Sequence, residues 1–377
     1  MTVADPQQLR ILLSHIYAWP EQQRGAERYL HTLGRFLIAA GHDVQLLTTA
    51  ETGYSEVLDG VATTALPRRL ARPRKYGAQA ADVGFAKSAL RYAARRRYDV
   101  WHATSIGDAT AAVNLSTVRA TRTVFTDHGF PARDSRERRS DHASFVKVVT
   151  QVQDYLCMSQ PAADLLWTDY RRSARIIPPG VDTDCFIPAS RRTQRPTILY
   201  SGSLEEPRKN VALLAEAFGL LLDERPDAQL WLAGPGDPTS SLTALSPELG
   251  SRISVLGTLT QTELIERYQA AWVTALPSDS EVFGMALAES LSCGTPGVGL
   301  DDGLGPASIL TKDTGALAER SSQGIANALN TALDLAHRPK TLTACRTRAL
   351  DFDWARVVVP AIEAVYRAGV THAHHAH

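Results

Sequence analysis

Cysteine is scarce in this sequence. Its 377 residues include four cysteines, and no two of them stand in CxxC spacing: Cys157, Cys185, Cys293 and Cys345. Structural zinc sites and disulfide frameworks both depend on closely spaced cysteines, so neither is indicated. We therefore expect free thiols and a reducing, cytoplasmic location.

Long apolar runs are also missing. No stretch of 18 consecutive apolar residues occurs, and the N-terminus MTVADPQQLR lacks the basic segment and apolar run of a signal peptide. The sequence therefore predicts neither a membrane-spanning helix nor secretion.

An excess of one charge is absent as well, since 40 Lys and Arg balance 40 Asp and Glu. Bulk attraction to nucleic acid is therefore not expected. Residues 1–190 nevertheless carry 24 basic and 19 acidic side chains, with basic clusters at 66–75, 94–98 and 133–139. Two interpretations stay open: solvated arginines, or a surface for an anionic acceptor or for peripheral contact with the inner membrane face.

Short apolar runs that end in polar residues or glycine recur along the chain and alternate with helical patterns. LRILLSHIY is followed by the helical pattern AERYLHTLGRFLIAAG and by the strand pattern HDVQLLTT, which together indicate a βαβ unit. The same alternation resumes at PTILYSGS. We predict an α/β protein with two parallel-sheet, Rossmann-like domains that face each other across a cleft.

The domain boundaries follow from composition. The charged, proline-flanked segment 188–196 is the predicted linker between an N-terminal domain, 1–187, and a C-terminal domain, 197–350. The pattern at 354–369 predicts a helix with a kink at Pro360. Residues 370–377 are predicted to form a disordered tail.

The motif SDSEVFGMALAESLSCGTP, at 278–296, holds two glutamates eight positions apart. The backbone amides of Phe283, Gly284 and Met285 lie at the predicted start of a helix, which suits an anion such as phosphate. Glu289 would face a ribose diol from within that helix, and Glu281 would reach hydroxyls beyond the phosphate. Solvated glutamates remain the alternative for this motif alone.

A second loop supports the anion site. GSLEEPRKN follows a predicted strand and precedes a helix, beginning with Gly202 and Ser203. Lys209 would contribute a point charge to a pyrophosphate, and Arg208 a second charge or a structural contact. Two loops of this kind in one sheet point to a nucleotide.

These segments, with WLAGPG and IIPPGVDTDCF, resemble the retaining, nucleotide-sugar-dependent glycosyltransferases of the GT-B fold, classed as glycosyltransferase family 4. The resemblance extends over nearly the whole chain. It implies that the N-terminal domain binds the acceptor, that the C-terminal domain binds the nucleotide-sugar donor, and that a C-terminal helix crosses back to the first domain. It implies that Glu281 contacts the donor sugar, Glu289 the ribose and Lys209 the pyrophosphate. It also implies that His128 lies near the donor sugar and the acceptor, and that Gly25 belongs to a glycine loop.

Two positions depart from the family pattern. Ser203 stands where the family commonly has an arginine, and Arg24 precedes Gly25 where paired glycines are usual. We expect Arg24 to replace part of the lost charge when the cleft closes on the donor, with a solvent-facing or acceptor-facing Arg24 as the alternative.

The resemblance implies transfer of a hexosyl unit from a UDP- or GDP-sugar to a hydroxyl of a saccharide, cyclitol, glycolipid or natural product. In the implied front-face mechanism, the departing phosphate deprotonates the acceptor and no protein nucleophile takes part. We expect neither cofactor nor metal, because adjacent Asp301 and Asp302 would point apart. A sugar-nucleotide epimerase and a non-catalytic nucleotide-sugar binder stay open; a dehydrogenase lacks its GxGxxG motif here.

Overall fold

The computed structural model describes residues 8–17, 19, 21, 25–68, 77–129, 142–189, 192–242 and 247–368. For residues 77–83, 240–241 and 247–248 it describes the backbone alone. The chain divides into two compact units. The first comprises residues 1–178 together with 358–377, and the second comprises residues 179–357.

The first unit is built on an eight-stranded sheet. Its strands are β1 (Arg10–Ser14), β2 (Asp43–Ala50), β3 (Tyr54–Leu58), β4 (Val61–Pro67), β5 (Val100–Ala103), β6 (Arg122–Asp127), β7 (Asp154–Cys157) and β8 (Arg175–Ile176). Their order is β3-β4-β2-β1-β5-β6-β7-β8, and only the β3–β4 pair is antiparallel. The described helices before residue 179 are α1 (Gly25–Ala39), α2 (Gly77–Ala93), α3 (Ile106–Ser116), α4 (His142–Gln151) and α5 (Gln160–Tyr170).

The second unit has a six-stranded, fully parallel sheet. Its strands are β9 (Thr197–Ser201), β10 (Gln229–Ala233), β11 (Ile253–Gly257), β12 (Val273–Leu276), β13 (Gly297–Leu300) and β14 (Gly315–Ala318), in the order β11-β10-β9-β12-β13-β14. The helices are α6 (Val211–Leu221), α7 (Thr239–Leu242), α8 (Pro247–Gly250), α9 (Gln261–Ala270), α10 (Met285–Ser292), α11 (Gly305–Ile309), α12 (Ser322–Ala336) and α13 (Pro339–Leu350).

Apolar strands explain why each sheet is buried. β1, β5, β9 and β12 each have three apolar residues and are buried over nearly their whole length, as expected for parallel strands that helices cover on both faces. In the first unit Trp101 and Leu12 are fully buried, and in the second Tyr200 and Phe218 are. The prediction of two Rossmann-like, parallel-sheet domains is therefore confirmed.

Each sheet reverses its winding direction once. In the first unit the chain runs outward from β1 in one direction and from β5 in the other. In the second unit the corresponding neighbours are β9 and β12. In open α/β sheets a crevice forms beyond the carboxyl ends of two such strands, and ligands bind there. The strand order thus marks one candidate position in each unit.

The C-terminal helix packs with the first unit. A π-helical turn (Trp354–Val358) runs directly into helix α14 (Val359–Arg367), and Pro360 is the second residue of α14. The structure shows a change of helix type here; the kink at Pro360 stays a prediction. Glu363 Oε1 lies 2.8 Å from Nε2 of His42, which ties α14 to the end of helix α1.

The segment predicted as a linker, 188–196, is held within the second unit where the structure describes it. The Thr193 amide donates to the Ala270 carbonyl at 3.0 Å, and the Arg192 guanidinium donates to the Ala336 carbonyl at 2.5 Å. The division of the chain falls earlier, after residue 178. The predicted disordered tail, 370–377, lies outside the described residues.

No helix in the described ranges combines the length and the apolar character needed to cross a membrane.

Candidate functional site

The loops after β9 and β12 meet in the second unit. The first begins at Gly202 and ends in a 3-10 turn, Pro207–Lys209, directly before α6. The second runs from Pro277 to the start of α10. The Asn210 side chain donates to the Pro277 carbonyl at 2.8 Å, and the Asp279 amide donates to the Arg208 carbonyl at 2.8 Å. These bonds fix the two loops against each other.

Lys209 and Glu281 form an ion pair at this junction. Lys209 Nζ lies 2.8 Å from Glu281 Oε2, and Arg208 reaches the same oxygen at 3.5 Å. The Lys209 and Glu281 side chains are only 13% and 16% exposed. Although burial alone would lower the pKa of Arg208, the charges of Glu281 and Glu206 raise it above its usual value. Arg208 also pairs with Glu206 at 2.5 Å, so two cations and two carboxylates meet here. Lys209 and Glu281 are 72 residues apart in the sequence.

The loop before α10 has the backbone shape that the sequence suggested. Gly284 precedes the first helical residue, Met285, with φ of +99°, a left-handed conformation that favours glycine. The Phe283 ring is buried against Phe352, with ring centroids 5.2 Å apart. The first-turn amides of a helix have no partner four residues earlier, so this end of α10 suits an anion.

Glu289 lies deeper than Glu281. It is 3% exposed, and its Oε2 accepts a hydrogen bond from the Tyr268 hydroxyl at 3.2 Å. Both glutamates of the motif thus belong to the same loop and helix, but one lines the surface and the other is buried behind it. A role for Glu289 at a ribose stays a prediction.

Ser203 holds the first loop together. Its carbonyl accepts from the Tyr200 hydroxyl at 2.7 Å, and its own hydroxyl accepts from the Glu206 amide at 3.3 Å. Gly202 lies beside Gly234, whose φ is +140°; a Cβ at position 234 would stand 1.8 Å from the Gly202 carbonyl oxygen. Only glycine allows this close approach of the loops after β9 and β10.

Of the adjacent residues Asp301 and Asp302, the second has a structural role. The Asp302 carboxylate accepts from the amides of Ser280 at 3.0 Å and Leu304 at 3.1 Å. Among the described residues, no three His, Cys, Asp or Glu side chains cluster so that they would hold a metal ion.

His128 lies at the end of β6 in the first unit. Its ring packs edge-on against Tyr29 of helix α1, with centroids 4.9 Å apart. Burial, and after it the neighbouring His15 and His102, hold the pKa of His128 well below its usual value, so its imidazole is neutral at pH 7. A neutral imidazole offers a hydrogen bond and carries no charge.

The structure describes one of the two residues predicted for the glycine loop. Gly25 is exposed, begins α1, and has no atom within 4 Å of the place its Cβ would take. Arg24 lies outside the described residues, so its predicted contact with the donor stays a prediction.

Sequence reasoning missed polar side chains around His15, whose charge acts on His128. His15 follows β1, Asp108 lies in the first turn of α3 after β5, and Glu27 lies in the first turn of α1. The available signal was weak: His15 and Asp108 are polar residues in or shortly after predicted strands, and Glu27 lies near a predicted helix start, patterns that solvated residues share.

Two family models match nearly the whole chain. One, described as Glycosyltransferase Family 4, matches residues 23–185, and the other, described as Glycosyl transferases group 1, matches residues 186–349.

Curated relatives carry similar descriptions. A D-inositol 3-phosphate glycosyltransferase of Mycolicibacterium smegmatis is 30% identical over 248 residues, which cover 60% of this chain and 54% of that protein. A protein of the same name from Pseudarthrobacter chlorophenolicus is 25% identical, with 97% of each chain covered. A phosphatidyl-myo-inositol mannosyltransferase of Mycobacterium tuberculosis is 33% identical over 33% of this chain and 34% of its own length. The chain thus spans about half of the first relative.

Solved structures share the fold. A sucrose-phosphate synthase from Thermosynechococcus elongatus has a TM-score of 0.80 at 20% identity, with 97% of this chain and all (100%) of that chain covered. HepE of Anabaena, in complex with UDP, has a TM-score of 0.74 at 16% identity, with 95% and 100% covered.

Proposed function

The chain belongs to the GT-B glycosyltransferases with a family 4 and a group 1 domain, and from this we propose that it transfers a hexosyl unit from a nucleoside diphosphate sugar to an acceptor hydroxyl. We propose UDP as the preferred nucleotide, retention of the anomeric configuration, and no metal requirement.

The observation that carries the proposal is the ion pair between Lys209 and Glu281, 2.8 Å apart. It lies beyond the carboxyl ends of β9 and β12, which are the two strands where the sheet reverses direction. A cation for a diphosphate and a carboxylate for sugar hydroxyls thus stand side by side, next to the first turn of α10.

The chemistry assigns these residues separate parts. As the bond at the anomeric carbon breaks, negative charge builds on the diphosphate, and fixed cations and amides stabilise it. Lys209 leaves its ion pair with Glu281 to bind the phosphate, and the amides of Gly284 and Met285 donate to the same anion. Glu281 is then free to accept hydrogen bonds from the sugar. The departing phosphate takes the acceptor proton.

The acceptor proposal comes from the relatives. Two of the three named above are D-inositol 3-phosphate glycosyltransferases and the third acts on phosphatidyl-myo-inositol by its name. We therefore propose a polyhydroxylated acceptor, with an inositol phosphate as the first compound to test.

The test is a screen of common UDP- and GDP-sugars with the purified protein, with and without D-inositol 3-phosphate, read by released nucleotide and by NMR of the product. We expect nucleotide release from one sugar nucleotide, faster with a suitable acceptor, and a product with the anomeric configuration of the donor. Lys209→Ala should lower release at least 10-fold, because one phosphate contact to a charged group is lost.

Asp334→Asn is the matched control. Asp334 forms an ion pair with Arg225 in the same unit, and this pair is not part of the loops after β9 and β12. Absence of nucleotide release and of nucleotide-sugar binding throughout the screen would refute the transferase. Epimer formation without acceptor would favour the epimerase, and binding without turnover the non-catalytic protein.

We predict that activity persists in EDTA. Lys209 and Arg208 both contact Glu281 and supply two cations that could neutralise a diphosphate in place of a metal. The Asp302 carboxylate already accepts hydrogen bonds from the amides of Ser280 and Leu304. The measurement is nucleotide release with and without an excess of EDTA. Lost activity that Mn²⁺ restores would contradict the prediction.

A further inference from the structure

A strained residue directly precedes Glu281 in the loop after β12. Ser280 has φ of +51°, in the left-handed region that favours glycine. A residue other than glycine keeps this conformation only where its surroundings hold it, and such residues cluster at functional sites. The position of Glu281 therefore depends on what holds Ser280.

The loop after β13, residues 301–304, supplies one of these contacts. One oxygen of the Asp302 carboxylate accepts from the Ser280 amide at 3.0 Å, and the other accepts from the Leu304 amide at 3.1 Å. The amide of Gly305, the first residue of α11, donates to the Glu281 carbonyl at 2.8 Å. The backbone is thus held at Glu281 and at the residue before it.

Glycine at position 305 makes this contact possible. A Cβ there would stand 2.4 Å from the backbone nitrogen, the Cα and the carbonyl oxygen of Phe283. The start of α11 therefore lies directly against the loop after β12, with no side chain between the two backbones. This close approach leaves the loop little room to move toward α11.

The residue before Ser280 is held from two further loops. The Asp279 carboxylate forms a two-point ion pair with Arg320, which follows β14, at 2.5 and 2.7 Å. The Asp279 amide donates to the Arg208 carbonyl in the loop after β9. Because the Arg320 side chain is 62% exposed, and exposed ion pairs contribute little, we attribute the conformation of Ser280 to the bonds that reach its own backbone.

The balance at Ser280 is close. A left-handed backbone at a residue other than glycine costs about as much as one hydrogen bond between a backbone amide and a carboxylate contributes. Loss of the bond to Asp302 should therefore let Ser280 return to negative φ. Such a change would rotate the chain at the residue that carries the Glu281 side chain.

Glu281 has to stay in place when its ionic partner changes. In the proposed function Lys209 leaves its ion pair with Glu281 to bind the diphosphate, so the carboxylate then lacks that cation. A reacting group that is displaced by about 1 Å loses much of its effect on the rate. A fixed backbone at positions 280 and 281 would prevent this displacement.

We propose that Asp302 is a positioning residue for Glu281: by accepting from the Ser280 amide, it maintains the left-handed backbone that directs Glu281 to the donor sugar. The identity of the ligand rests on the proposed function, whereas the hold of Asp302 on Ser280 does not.

The first test is the rate of amide hydrogen exchange at Ser280, read by NMR in the full-length wild type and in Asp302→Asn. Asparagine keeps one oxygen for the Leu304 amide but places an NH₂ group where the second oxygen accepted from Ser280. We expect exchange at Ser280 to be about 10-fold faster in Asp302→Asn, the value of one such hydrogen bond. Asp334→Asn, the control used above, should leave it unchanged. Equal exchange in wild type and Asp302→Asn would overturn the proposal.

The second test is discrimination between donors. It compares kcat/KM for the preferred sugar nucleotide with kcat/KM for an epimer that differs at one hydroxyl, such as UDP-glucose and UDP-galactose. This ratio does not depend on the folded fraction of the enzyme, so it separates positioning from lost stability. In Asp302→Asn the discrimination should fall about 10-fold, while the Kd of UDP alone stays the same because Lys209 is unchanged. An unchanged ratio, or an equal fall in Asp334→Asn, would contradict the positioning role.

Ser280→Gly provides the reverse test. Glycine adopts positive φ without strain, so the backbone at this position no longer needs Asp302 to hold it. The double variant Ser280→Gly with Asp302→Asn should therefore regain most of the donor discrimination that Asp302→Asn loses. If the two changes combine independently, Asp302 does not act through Ser280 and the proposal is wrong.

The two proposals fail separately. If the wild type releases no nucleotide from any sugar nucleotide, but Asp302→Asn speeds exchange at Ser280, the transferase is wrong and the hold of Asp302 on the loop stands. If nucleotide is released, and neither exchange nor donor discrimination responds to Asp302→Asn, the positioning role is wrong and the transferase stands.

Discussion

Glu281 and Glu289 illustrate how two identical side chains of one motif are placed for different tasks. Glu281 is partly accessible and paired with Lys209, whereas Glu289 is 3% exposed and bonded to Tyr268. Charge develops on the donor sugar during the reaction, so the rate of the chemical step would depend on Glu281. The ribose does not change during the reaction, so Glu289 would contribute to donor binding.

We therefore predict different kinetic effects from the two glutamates. Glu281→Ala should lower kcat, or change which sugar is accepted, by about 10-fold or more, while Glu289→Ala should mainly raise the KM of the donor. Glu289→Gln, which keeps an oxygen for Tyr268, separates ribose binding from stability. Small and equal effects of both alanine variants would contradict the assignment of Glu281 and Glu289 to a donor site.

Arg208 is a cation in the same loop as Ser203, the position where the family pattern commonly has an arginine. Its guanidinium reaches Glu281 Oε2 at 3.5 Å while its side chain stays 44% exposed, so it is accessible to a phosphate. Arg24, which the sequence suggested for this purpose, lies outside the described residues.

We predict coupling between positions 203 and 208. Arg208→Ala should raise the KM of the donor about 10-fold in the natural chain, and much less when Ser203→Arg is also present, because the second arginine replaces the lost phosphate contact. The measurement is a double-mutant cycle on nucleotide release. Additive effects would show that the two positions do not share the phosphate.

At the level of elements, the loop after β9 depends on close approach to the loop after β10. Gly234 has φ of +140° and leaves no space for a Cβ, which would stand 1.8 Å from the Gly202 carbonyl oxygen. Any side chain at this position must displace Gly202, the first residue of the loop after β9.

Gly234→Ala should therefore destabilise the protein by at least about 1–3 kcal/mol and raise the KM of the donor. The matched control is Gly250→Ala, since Gly250 in the same unit has no atom within 4 Å of the place its Cβ would take. The measurements are urea unfolding and donor kinetics. Equal stability of the two variants would contradict this account of the loop.

At the level of the whole molecule, the first unit combines both ends of the chain. His102 in β5 is fully buried between Tyr366 of the C-terminal helix, 2.7 Å from Nδ1, and Thr126 of β6, 2.6 Å from Nε2. Burial lowers the pKa of His102 to about 3. The helix that follows the second unit therefore completes a hydrogen-bond network in the core of the first.

This network predicts acid sensitivity. The unfolded chain protonates His102 near pH 6.5 and the folded chain near pH 3, so between these values the unfolded state binds more protons. The free energy of unfolding should consequently fall with decreasing pH, by about 1.4 kcal/mol per pH unit from this residue. At pH 7 the protonation of His102 does not lower the free energy of unfolding.

The measurement is urea unfolding at pH 7, 6 and 5 for the wild type and for His102→Gln. The variant should show a shallower loss of stability, while His337→Gln, at an exposed position, should follow the wild type. Identical pH slopes for His102→Gln and wild type would contradict the prediction.

What the sequence determined by itself was local. Apolar runs that end in polar residues gave the strands, and the motif around Gly284 predicted a loop and helix start, because both depend on neighbouring residues alone. The antiparallel strand β3, the helix-type change before Pro360 and the division after residue 178 depend on packing, and no local pattern indicated them.

Only the tertiary structure decided which distant side chains meet. Lys209 and Glu281 are 72 residues apart, and His15 and Thr104 are 89 residues apart. Each pair is joined because two parallel strands lie side by side at the place where the sheet reverses direction, and strand order is a property of the whole fold. For the same reason the sequence indicated the charged donor loops, whose glycines and cations carry a motif, but gave no sign of the pairing between His15 and Glu27.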